Sequence, residues 1–171
     1  DAIIKILQKE DGVKNPTRND VIRYKLYQEL KNNGHKNLYN NEYIERKDLF
    51  GKKYDIDHII PQSRLFDDSF SNKTLVPRQI NIEKGNKTAY DYILDKFGEK
   101  GVVEFTTRIE ALYNLKDEGI SKAKYQKLLK QGKDIGDGFI ERDLRDSQYI
   151  AKKAKSMLFE ITRSVVSTSG K

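Results

Sequence analysis

Tyr54-Asp55-Ile56-Asp57-His58-Ile59 alternates apolar and polar side chains, and Pro61 comes close behind, a pattern that leaves a chain little choice of local structure. A period of two belongs to a half-buried β-strand, so Asp55 and Asp57 share one face while Tyr54, Ile56 and His58 share the other. Pro61 cannot donate to a strand ladder and closes the segment. Neighbours in a regular strand point to opposite sides. Asp57 and His58 can therefore serve one ligand only where the strand ends or twists. There the carboxylate offers a hard oxygen to a cation, and the imidazole offers a base that titrates near neutrality. Taken alone, an Asp-His pair is more often structural or on the surface than catalytic.

The residues after the strand narrow the choice. Gln62 to Asn72 reads as a loop, with Asp67, Asp68 and Ser69 as turn formers that satisfy nearby amides. Lys73-Thr74-Leu75-Val76 has the composition of a short second strand returning antiparallel to the first. Pro77 then opens a helix that Gly85 closes. Asn81 and Lys84, three apart, share a face of it. Asn81 has an amide oxygen to offer a cation, and Lys84 and Lys87 have ammonium groups for a phosphate; a polar surface helix is the other reading.

Around this ββα unit the chain reads as helical. Thr17 N-caps a helix with Asp20 in its first turn and Val21, Tyr24, Leu26, Tyr27 and Leu30 facing a core. His35 falls in an Asn- and Gly-rich turn and is expected in solvent. Tyr39 and Tyr43 are expected to pack inward. Helical periodicity returns from Tyr90 to Phe97, with Gly98 as its end, then from Val102 to Leu115 and Ile120 to Leu129, with Val103, Ile109, Leu112, Leu115, Tyr125, Leu128 and Leu129 as core positions. Gly132 to Gly138 reads as a linker, and Phe139 to Val166 as a longer helix. The expected fold is α+β, mostly helical around a two-stranded antiparallel sheet. It divides into residues 1–53 leading into the motif, 54–131 as its core and supporting helices, and 132–171 as linker and final helix.

Composition excludes several function classes. The chain has no cysteine and only two histidines, which removes disulfides, thiolate zinc sites and cysteine nucleophiles. A net charge of +7 points to a polyanionic partner. No apolar run of about 18 residues offers a membrane span, and no signal peptide opens the chain, so a soluble, cytoplasmic protein is expected. The start at Asp1 without methionine and the stop at Lys171 read as a piece of something longer. No glycine-rich phosphate loop or internal repeat is present.

The order strand, return strand, helix, with Asp57-His58 on the first and Asn81 on the last, resembles the HNH or ββα-metal nucleases. The run Asp55-Ile56-Asp57-His58-Ile59-Ile60-Pro61-Gln62-Ser63, then Asp67-Asp68-Ser69, Asn72-Lys73 and Leu75, is similar to the HNH domain of the RNA-guided DNA endonuclease of type II CRISPR systems, the Cas-nine effector. Arg23-Tyr24-Lys25-Leu26-Tyr27 resembles that family's helix before the nuclease strand, and Gly138-Phe139-Ile140-Glu141-Arg142-Asp143-Leu144 its linker toward a RuvC-like domain.

The resemblance implies a metal-dependent endonuclease with His58 as general base and Asp57 and Asn81 as ligands of Mg²⁺, with Mn²⁺ as a substitute. It gives Asn72 the task of bracing the loop and Asp55 a supporting role. Lys84, Lys87, Arg78 and Arg64 are expected on backbone phosphates. The implied partners are a target DNA strand paired with guide RNA and the other domains of a prokaryotic effector, the isolated chain being monomeric and poorly active. The alternatives are a free-standing HNH homing or restriction endonuclease and a non-catalytic nucleic-acid-binding module.

Overall fold

The computed structural model describes residues 1–135, so the helix expected from Phe139 to Val166 and the last three residues of the glycine-rich stretch before it lie outside the described residues. The described residues separate into two compact units, one of Asp1–Ile60 with Asp68–Lys130, the other of Pro61–Asp67 with residues 131–135. The first 53 residues lie in the same unit as the motif. Side-chain bonds explain why: Arg23 donates from Nη1 to the carbonyls of Leu49 and Tyr54, 3.2 and 2.7 Å away.

Within the first unit α1 (Ala2–Glu10) and α2 (Arg18–Glu29) precede an irregular stretch that leads into β1 (Tyr54–His58). β2 (Lys73–Pro77) returns antiparallel with Tyr54 opposite Pro77 and His58 opposite Lys73. Then come α3 (Arg78–Lys84), α4 (Ala89–Asn114) and α5 (Lys122–Leu128). The α+β architecture with a two-stranded antiparallel sheet is the one read from the sequence. None of these helices is long and apolar enough to cross a membrane.

Local chemistry accounts for the boundaries. Thr17 and Asp20 form a reciprocal capping box at the start of α2, the Thr17 hydroxyl accepting from the Asp20 amide at 3.2 Å and the Asp20 carboxylate from the Thr17 amide at 2.9 Å. Thr88 caps α4 through the Asp91 amide. Gly98 adopts φ 73°, ψ −169°, open only to glycine, and divides α4 into two straight runs. Leu26, Tyr27, Leu30, Leu38, Tyr54, Leu75, Val76, Ile93, Phe105 and Ile109 join one core against the sheet.

Several core assignments need correction. Val103 and Leu115 are exposed, because Phe105, Ile109 and Leu112 already fill the inner stripe of α4. Tyr43 is exposed whereas Tyr39 is buried. His35 is not a solvated loop residue: its ring stacks on Tyr27 with centroids 4.2 Å apart, and its Nε2 is buried.

Candidate active site

β1 carries its two carboxylates on the face that α3 covers. Asn81 donates its amide to Asp55 at 3.0 Å, and Arg78 reaches the same carboxylate at 2.9 Å. One turn on, the Lys84 ammonium lies 3.5 and 3.4 Å from the two oxygens of Asp57 and donates to the His58 carbonyl at 2.7 Å. Residues two apart on a strand and three apart on a helix match because each pair shares a face. Ile80 and Lys84 are both buried, which makes Lys84 part of the inward side of α3.

Tyr39 completes the surroundings of Asp57, donating its hydroxyl to Oδ2 at 2.7 Å. Its position is built locally and then pinned from afar. The Asn37 side chain accepts from the amides of Tyr39 and Asn40 and donates to the Glu42 carbonyl, which folds residues 37–42 back on themselves. Arg108 of α4 then holds the Leu38 carbonyl at 2.9 Å. The Tyr39 ring packs near Tyr92 and Phe105.

Burial governs the charges here. Asp57 is 3% exposed, and burial pushes its carboxyl above the usual range against the opposing pull of Lys84 and the Tyr39 hydroxyl. Burial likewise lowers Lys84, and burial with the Asp57 charge raises Tyr39 well above its ordinary value. Asp55 behaves differently: burial works to raise it, but hydrogen bonds from Arg78 and Asn81 outweigh that and hold it low.

His58 points to the other face. Its Nε2 lies 2.9 Å from Asp68 Oδ1, and Lys73, its cross-strand partner, places Nζ 3.2 Å from the same oxygen. The hydrogen bond from His58 leads the influences that hold the Asp68 carboxyl below its usual value. The strand end itself is closed by Asn72, whose side chain accepts from the Ile60 amide at 2.9 Å and donates to the Ile60 carbonyl at 3.0 Å. The backbone adds two more ties, Ile59 N–H to the Asn72 carbonyl at 2.8 Å and Ala89 N–H to the Ile59 carbonyl at 3.0 Å.

The structure thus sets Asn81 against Asp55 and Lys84 against Asp57 on one face of β1, with the His58 side chain at the end of the strand on the other. No hydrogen bond or ion pair among the described residues joins Asn81 to Asp57 or His58. Lys84 departs from the surface phosphate contact expected of it: its side chain is 1% exposed, because the buried carboxylate of Asp57 requires a counter-charge. Lys87 pairs with Asp95 at 2.7 Å and Arg78 with Asp55, both at the surface. Arg64 lies in the second unit and donates to the Gly132 carbonyl at 2.9 Å.

Sequence reasoning misses Tyr39 and Asp68. By sequence alone Tyr39 is a packing residue and Asp68 a turn former, and neither carries a local signal that separates those roles from contact with Asp57 and His58. Among the described residues no three His, Asp or Glu side chains converge as a metal cluster. The donor set still fits a hard cation: the carboxylate of Asp57 and the amide oxygen of Asn81 are oxygen donors from elements that pack on each other.

Residues 37–90 match the model of the HNH endonuclease, so this unit is an HNH endonuclease domain, a class that works with a metal ion. Residues 134–171 match the RuvC endonuclease subdomain 3. The chain is 36% identical over 130 residues to the CRISPR-associated endonuclease Cas9 of Staphylococcus aureus, covering 71% of this chain and 12% of that protein. It is 32% identical over 142 residues to CRISPR-associated endonuclease Cas9 1 of Streptococcus thermophilus, covering 77% of this chain and 12% of the relative. Among solved structures, Streptococcus thermophilus Cas9 in complex with the AGGA PAM matches with a TM-score of 0.60 at 26% identity over 92% of this chain and 15% of that one. Its complex with the GGAA PAM matches with a TM-score of 0.61 at 25% identity, with the same coverage. The chain belongs to the type II CRISPR Cas9 family, as the region that carries its HNH domain. It spans about an eighth of the length of these curated relatives, 12% in each case.

Proposed function

We propose that this domain hydrolyses a phosphodiester of the DNA strand paired with guide RNA, within a larger RNA-guided effector. The observation that carries the reading is the end of β1, where the buried Asp57 sits beside the partly exposed His58 and α3 sets Asn81 against Asp55, two residues earlier on the Asp57 face. In the reaction, neutral His58 takes a proton from a water molecule as its oxygen bonds to phosphorus, and the bond to the 3′ oxygen breaks. Asp57 and Asn81 would hold Mg²⁺, which supplies charge stabilisation to the pentavalent phosphorus and the departing oxygen. Tyr39 and Lys84 keep the Asp57 carboxylate in one orientation. Lys87 and Arg78, at the surface, are placed to exchange their present carboxylate partners for backbone phosphates, contacts that hold DNA without reading its sequence.

The test is cleavage of strand-labelled DNA by the guide-loaded effector carrying His58→Ala. The strand paired with the guide should be cut about 10²–10⁴ times more slowly, with DNA binding retained. Cutting of that strand at the wild-type rate refutes the assignment. Site-selective duplex cleavage without RNA would identify a free-standing nuclease instead.

A further inference from the structure

His58 and Asp68 are ten residues apart, yet the fold gives them little freedom to separate. The return of the chain is anchored at Asn72 by three hydrogen bonds to Ile59 and Ile60, the two residues after His58. Lys73, which comes next, lies directly across the sheet from His58 and is 7% exposed. Its ammonium group, 3.2 Å from Asp68 Oδ1, pulls that oxygen toward the sheet face on which the imidazole lies, where it meets Nε2 at 2.9 Å. Two groups from opposite strands thus converge on one carboxylate oxygen.

An ionised carboxylate only accepts hydrogen bonds. The proton between Asp68 and His58 therefore belongs to Nε2, and in a neutral imidazole the lone pair is then on Nδ1. Asp68 selects the ring nitrogen that can receive a proton and limits rotation of the ring. We propose that Asp68, held by Lys73, is a positioning residue that fixes His58 in the Nε2–H tautomer and presents Nδ1 as the proton acceptor. This rests on the reading of His58 as general base and specifies the atom that does the work. Asp68 itself is more than half exposed, so its replacement opens no cavity in the core.

Two measurements on Asp68→Ala test this. In the full chain, labelled with ¹⁵N on the histidine ring, wild-type His58 should show the well-separated nitrogen shifts of a single tautomer. Asp68→Ala should move both shifts toward averaged values, and Asp68→Glu should restore them in part. In the guide-loaded effector, the single-turnover cleavage rate of Asp68→Ala should fall about 10–100-fold, as for loss of a group that orients a catalytic ligand, with DNA affinity unchanged. Unchanged ring shifts overturn the proposal, as does a cleavage rate within twofold of wild type. His58→Ala, run alongside, separates the two readings: if it cuts normally the base assignment fails, whereas the ring shifts still report on Asp68.

Discussion

Replacing Lys84 by methionine tests whether the buried ammonium is what allows Asp57 to remain charged inside the domain. The methionine keeps most of the stem volume but removes the charge 3.4 Å from the carboxylate and the hydrogen bond to the His58 carbonyl. The two side chains are 1% and 4% exposed, so solvent cannot screen the loss. Breaking a buried pair from one side costs about 3–5 kcal/mol, because the remaining charge is left uncompensated. For a chain of this size each kcal/mol lowers Tm by roughly 2–4 °C, so the deficit amounts to about 6–20 °C.

The dependence on pH offers a second handle. Burial already holds the folded-state pKa of Asp57 above its ordinary value, and without Lys84 it rises further. The folded variant then binds a proton that the unfolded chain releases, so its stability increases as pH falls from neutrality through the folded pKa of Asp57. Urea denaturation followed by circular dichroism between pH 7 and about 5 should show the deficit shrinking as acid is added. Asp57→Asn combined with Lys84→Met should lose less than Lys84→Met alone, since no charge is stranded. A deficit below about 1 kcal/mol at pH 7, or one that grows in acid, refutes the account.

Two further perturbations probe how the site is held. Asn72→Ala strands the amide and carbonyl of Ile60, at about 1–3 kcal/mol for each buried group left unpaired, and should lower the urea midpoint without changing its slope. Gly119→Ala sets a Cβ 1.7 Å from the Leu112 carbonyl oxygen, a backbone atom with no room to yield; the connection between α4 and α5 must shift, and thermal melting should drop by several degrees.

Elements with a short-range cause are legible in the sequence. The alternation from Tyr54 to Ile59 marks β1, the capping residues Thr17 and Asp20 mark the start of α2, and Pro77 with Gly85 brackets α3. Partners chosen by tertiary packing are not. Spacing places Asn81 and Lys84 on one face of α3 but cannot tell that Ile80, four residues before Lys84, turns that face inward. Tyr39 depends on the Asn37 turn and on Arg108, some 70 residues downstream, so nothing beside it in the chain announces that its hydroxyl will meet Asp57. Val103 and Leu115 fit a helical stripe by period, yet their neighbours already fill the core.

The alternation of β1 also divides the site into two halves that answer differently to disturbance. Each half pairs one carboxylate with one lysine, Asp57 with Lys84 on the α3 face and Asp68 with Lys73 on the other, at nearly the same separations of 3.4 and 3.2 Å. The carboxyls nevertheless shift in opposite directions, Asp57 up through burial and Asp68 down through its hydrogen bond to His58. Exposure accounts for the difference, since the Asp68 side chain is 57% exposed and that of Asp57 only 4%. The Lys73 side chain is itself only 9% exposed, so the second pair is open to water at the carboxylate alone, whereas neither member of the first can be removed without stranding a buried charge. The α3 face therefore answers to disturbance as a buried ion pair, and the His58 face as a carboxylate open to water on one side.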